Sequence, residues 1–125
     1  MRLQVEPIAK PRMTQADKWR RRPCVIDYRS YCDFLRASGA ELPERVALAF
    51  ELPMPRSWSK KKRDRMNGEP HQQRPDLDNL VKAVLDALAG EDSYVHTLTA
   101  SKRWALRGSV TIEELQASNG VSRSA

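Results

Sequence analysis

The sequence predicts a single α+β (mixed α/β) domain with element order β-α-β-α-β-β, and three observations predict it. Val46, Leu48, Phe50 and Leu52 alternate with Ala47, Ala49 and Glu51, the period-2 pattern of a strand with one buried face. Leu77, Leu80, Val81, Val84, Leu85 and Leu88 fall on one stripe at helical spacing. The chain has 125 residues, 40% of them hydrophobic and 30% charged, which suits one soluble globular domain rather than a disordered chain.

Each element has a local cause. Leu3 and Val5 alternate with polar residues ahead of Pro7, so a short first strand is expected between Leu3 and Ile8. A polar, basic loop from Lys10 to Pro23 follows. Tyr28, Tyr31, Cys32 and Leu35 recur at helical spacing and predict a first helix from Val25 to about Ala37, with Gly39 where a C-terminal cap falls. The second strand, Val46 to Leu52, is stopped by Pro53 and Pro55. From Arg56 to Arg74 nothing is periodic and Gly, Pro and charge dominate, which reads as one long loop.

The stripe from Leu77 to Leu88 is the second helix, ended by Gly90. Val95 to Lys102 and Ser109 to Leu115 both alternate and are expected to pair as a hairpin, with Trp104 and Gly108 near its connection. The Ser-rich stretch from Gln116 has no periodicity. The expected division is therefore a domain over 1–115 and a disordered tail over 116–125.

Composition narrows the function. No apolar run approaches the roughly 20 residues needed to cross a bilayer, and Met1-Arg2-Leu3-Gln4-Val5-Glu6 lacks a signal-peptide core. A cytoplasmic protein with no membrane partner is expected. The net charge of +6 favours an acidic partner, with nucleic acid first. Cys24 and Cys32 match neither a CxxC pair nor half a zinc site, and are read as reduced thiols.

Against this basic background, Asp76 and Asp78 stand one residue apart at the start of the second helix. One Asp there is an ordinary N-cap. Two repel each other unless a cation lies between them, and a hard divalent metal suits carboxylate oxygens. Pro75 disfavours a helical conformation at Arg74, which places Asp76 just outside the helix and Asp78 in its first turn. Lys82 lies four residues beyond Asp78 and Asp86 four beyond Lys82. That spacing is a surface ladder in the bland reading. In the functional one, Lys82 is held ready to meet phosphate charge, and Asp86 is structural in both.

Glu91 and Asp92 form a turn after the helix, about 18 Å of helix away from Asp76. A basic stretch with Arg56, Trp58, Lys60, Lys61, Lys62, Arg63, Arg65 and Arg74 leads directly into the acidic pair. A second contains Lys10, Arg12, Lys18, Trp19, Arg20, Arg21 and Arg22. Cations beside a carboxylate pair are what a phosphodiester substrate requires, the bases positioning the backbone and the acids holding a metal. His71 and His96 have no ligand-like spacing and are read as structural.

These residues carry a family resemblance. Pro75-Asp76-Leu77-Asp78-Asn79-Leu80-Val81-Lys82-Ala83-Val84-Leu85-Asp86-Ala87-Leu88 resembles the signature of RusA-type Holliday junction resolvases, common in prophages. Lys10-Pro11-Arg12 resembles the family's early basic motif, and Pro53-Met54-Pro55-Arg56-Ser57-Trp58-Ser59-Lys60-Lys61-Lys62-Arg63 its stretch after the second strand. Asp92-Ser93-Tyr94-Val95, followed by Lys102, resembles its second acidic turn and strand.

The resemblance runs from about Met1 to Leu115. It implies a homodimeric endonuclease that cuts opposed strands of four-way branched DNA with Mg²⁺, or Mn²⁺ as a substitute. Carried over, Asp76, Asp78 and Asp92 match the metal-binding carboxylates and Lys82 the catalytic lysine. Lys10, Arg12, Arg56, Lys60, Lys61, Lys62, Arg63, Arg65 and Arg74 fall to DNA binding. The chain departs from the family in having Glu91-Asp92 where Asp-Asp is usual, and in a shorter segment between Leu88 and Glu91. The alternative reading is a catalytically impaired protein of the same fold that binds branched DNA without cutting it.

Overall fold

The computed structural model describes residues 1–11, 23–90 and 94–116. Its elements are β1 (Arg2–Leu3), α1 (Pro23–Ala37), β2 (Arg45–Pro53), α2 (Lys60–Met66), α3 (Leu77–Leu88), β3 (Thr97–Ala105) and β4 (Ser109–Glu114). The fold is α+β, as the patterning predicts. The stretch expected as one loop contains a helix, so the order is β-α-β-α-α-β-β.

One four-stranded sheet, ordered β1-β4-β2-β3, carries α1 and α3 on one face. The alternating strand takes the centre. β2 pairs parallel to β3 from Arg45 opposite Thr97 to Pro53 opposite Ala105, and antiparallel to β4 on its other side. Val46, Leu48, Phe50 and Leu52 all point into the core with Tyr31 and Leu35 of α1, Leu80 and Val84 of α3, and Val110 and Ile112 of β4. Ala47, Ala49 and Glu51 form the half-exposed opposite face.

The expected hairpin of the last two strands does not form, because β2 lies between them. The observed order covers the most apolar strand, β2, along its length on both sides, with β3 parallel and β4 antiparallel to it. The connection crosses the end of β2 at Leu106-Arg107-Gly108. A Cβ at Gly108 would stand 2.6 Å from the Glu6 backbone, so only glycine fits this crossing. β1 is also shorter than expected. The Val5 amide turns back to the Leu3 carbonyl at 3.0 Å, and Pro7 has no N–H for a ladder.

α2 was hidden from pattern reading because Lys60-Lys61-Lys62-Arg63-Asp64-Arg65-Met66 has no apolar stripe. Local chemistry holds it instead. Ser59 caps it, accepting from the Lys62 amide at 3.2 Å, and Arg63 and Arg65 in its last turn complement the helix dipole. Trp58, just before the cap, packs on Trp104 at 4.8 Å between ring centroids. Cys24 is exposed and Cys32 buried, and both are free thiols.

Candidate active site

The acidic pair sits where the sequence puts it. Asp76 is the N-cap of α3, with an extended backbone (φ −69°, ψ 141°), and its carbonyl accepts from the Leu80 amide at 3.2 Å. Its carboxylate, however, makes no capping bond. An N-cap Asp normally spends its side chain on the exposed amides of the first turn, so this one is left available for another cation. Asp78 lies in the first turn. Its only described ion-pair partner is Lys82, Nζ to Oδ2 3.8 Å, with side chains 60% and 69% exposed. Such a pair is worth a few tenths of a kcal/mol, so Lys82 can leave it for a stronger anion. Among the described residues no third His, Cys, Asp or Glu joins them as a metal cluster.

Beneath this mouth lies a lysine whose role the sequence did not disclose. In the parallel register Leu98, Ala100, Lys102 and Trp104 of β3 stand beside Val46, Leu48, Phe50 and Leu52 of β2, the row that faces the helices. Lys102 is thus a cation in an otherwise apolar row. Its ammonium donates to the Gln73 carbonyl at 2.5 Å and to the Pro75 carbonyl at 2.7 Å. Its signals in the sequence were its phase with apolar neighbours and its place after Asp92-Ser93-Tyr94-Val95 in the family resemblance.

The basic segment is tied to the same part of β3. Gly68 donates to the Trp104 carbonyl at 2.8 Å, Trp104 to the Glu69 carbonyl at 2.9 Å, and His71 to the Lys102 carbonyl at 3.0 Å. The His71 ring, 5% exposed, packs on Trp104 with centroids 4.1 Å apart. Burial first, and the Lys102 charge second, lower its pKa below that of an ordinary histidine. It is a neutral structural ring at pH 7, in keeping with its sequence reading. Lys60, Lys61 and Arg65 of α2 are exposed, as are Arg56 and Arg74, while Lys62 and Arg63 are half-buried. The Lys62 ammonium lies 4.3 Å from the centroid of the Trp58 ring, a cation–π contact.

Lys10 reaches α3 by two routes. Its amide donates to the Asn79 carbonyl at 3.1 Å, and its ammonium pairs with Asp86. The Tyr28 hydroxyl also donates to Asp86, at 2.9 Å. Burial pushes the Asp86 carboxyl up, but the hydrogen bonds from Lys10 and Tyr28 and the charges of Lys10 and Arg36 outweigh it. They hold the group below the usual carboxylate range. Asp86 is therefore the anchor between α1, α3 and the start of the first basic segment. Arg12, Lys18, Trp19, Arg20, Arg21 and Arg22 lie outside the described residues, as do Glu91, Asp92 and the tail from residue 117. Among the described residues no helix is long and apolar enough to cross a membrane.

Comparison with known proteins agrees with this arrangement. The family model of endodeoxyribonuclease RusA matches residues 6–113. No curated protein and no solved structure gives a significant match. The match spans both helices that cover the sheet, the basic segment and the acidic mouth of α3, and the chain belongs to the RusA endodeoxyribonuclease family.

Proposed function

We propose that this endodeoxyribonuclease resolves four-way DNA junctions, using Mg²⁺ held by Asp76 and Asp78. The observation that carries the reading is the Asp76 carboxylate, placed at the N-cap of α3 yet free of any capping bond, two residues before an exposed Asp78. Both groups offer hard oxygen donors, which suit Mg²⁺ or Mn²⁺. Asp92, the family's third carboxylate, is assigned here as a further ligand by its match to the motif alone. When bound, the ion supplies Lewis-acid polarisation of the phosphodiester and a more acidic water.

The chain's own residues do the rest. Lys82, one turn along α3, releases Asp78 and donates to a phosphate oxygen, stabilising charge that grows in the transition state. Lys60, Lys61 and Arg65 on the exposed side of α2, with Lys62, Arg63, Arg56, Arg74, Lys10 and Arg12, draw in and align the DNA backbone. A homodimer with two-fold symmetry presents two such sites to a substrate of matching symmetry.

The test is cleavage of a synthetic four-way junction in Mg²⁺ by the wild type and by Asp78→Asn. Cutting by the wild type and its loss in the variant is the expected result. Equal cutting by both proteins removes the metal role of Asp78. Salt-sensitive junction binding with no cutting in Mg²⁺ or Mn²⁺ returns the alternative, a binding protein.

A further inference from the structure

Lys102 belongs to neither the acidic pair nor the basic helix, yet it touches the chain at the point where the acidic pair begins. The Pro75 carbonyl that it holds at 2.7 Å belongs to the same planar peptide unit as the Asp76 nitrogen. The Gln73 carbonyl, at 2.5 Å, is the second anchor. An ammonium has three donors, and two of them are spent on this short segment. β3 is a firm base for the clamp, because nine residues pair it to the central strand. Trp104, two residues on, is buried under His71.

Nothing else described fixes Asp76 from its side chain, since the carboxylate makes no cap bond. The backbone that Lys102 holds fixes the point from which that carboxylate projects. We infer that Lys102 is a positioning residue that orients Asp76 for a divalent cation, an inference resting on the metal reading of the acidic pair. Outer-shell partners of metal ligands act in this way, and their loss costs about 10- to 100-fold in metal affinity or activity.

The test uses the intact chain with Lys102→Met, Lys102→Gln and Lys102→Arg, and Mn²⁺ titrated without DNA while free Mn²⁺ is followed by electron paramagnetic resonance. Lys102→Met is expected to weaken Mn²⁺ binding by about tenfold or more. The Mg²⁺ concentration for half-maximal junction cutting should rise by the same factor, with cutting recovered at high Mg²⁺. Junction affinity in EDTA should not change. Lys102→Gln, whose amide donors are neutral and reach less far, falls between Met and wild type, and Lys102→Arg, with charged donors for both carbonyls, restores most of the affinity.

Wild-type Mn²⁺ affinity in the Met or the Gln variant overturns the role of Lys102 and leaves the metal reading standing. A loss of junction affinity in EDTA with Mn²⁺ binding intact overturns it too, in favour of a direct DNA contact. A wild-type chain that binds no Mn²⁺ overturns the metal reading and this inference with it.

Discussion

Asp76→Asn separates the two things an acid at a helix mouth can do. Asn is as good an N-cap as Asp, and the Asp76 carboxylate makes no capping bond to lose. What remains is the attraction between its charge and the helix dipole, about 0.3 to 1 kcal/mol. Relief of its repulsion with Asp78 works in the opposite direction. The net loss of stability is therefore expected to stay below about 1 kcal/mol. Cutting should fall much further, by at least about a hundredfold, equivalent to about 2.7 kcal/mol of transition-state stabilisation. Urea unfolding followed by circular dichroism gives the first quantity, and initial rates of junction cleavage in Mg²⁺ give the second. A loss of more than about 1.5 kcal/mol with a proportionate loss of cutting shows that the charge of Asp76 supports the fold rather than a metal. Cutting at the wild-type rate shows that it holds no metal.

Two further predictions concern the anchor and the grip. Because the folded Asp86 carboxyl titrates below its unfolded value of about 3.9, its charged form stabilises the fold at every pH above that value, and the contribution fades as pH falls through the lower folded one. The gap in urea midpoint between wild type and Asp86→Asn should be constant from about pH 5 to 7 and shrink below about pH 4; a gap at about pH 3 as large as that at about pH 6 rules the mechanism out. For the basic helix, Lys60→Ala combined with Lys61→Ala should lower the slope of log K against log salt by up to about 1.8, or about 0.9 per lost phosphate contact. An unchanged slope in a binding titration places the DNA elsewhere.

The parts of the fold that depend on near neighbours were legible in the residues. β2, α1 and α3 follow from periodicity, and Gly90 ends α3 at a positive φ of 61°, where glycine is favoured. Strand partnership was not legible, since Val95 to Lys102 and Ser109 to Leu115 carry the same alternation whichever strand lies between them. α2 was missed because its stability rests on a serine cap and a tryptophan outside the helix. At the site, Asp76, Asp78 and Lys82 lie within two turns of one helix and could be read together. Lys102 is distant from them in sequence, and only the parallel register of β2 and β3 brings it under Pro75.

The packing of Trp58 on Trp104 gives the protein an optical handle. Two of its three tryptophans share one small volume, with the Lys62 ammonium over the outer ring and a neutral His71 against the inner one. Indole emission responds to a nearby cation and to water at the ring. A phosphate that draws Lys62 away from Trp58 changes both. If DNA docks on the basic helix as proposed, its arrival can be followed from the chain's own fluorescence, with no dye attached to either molecule.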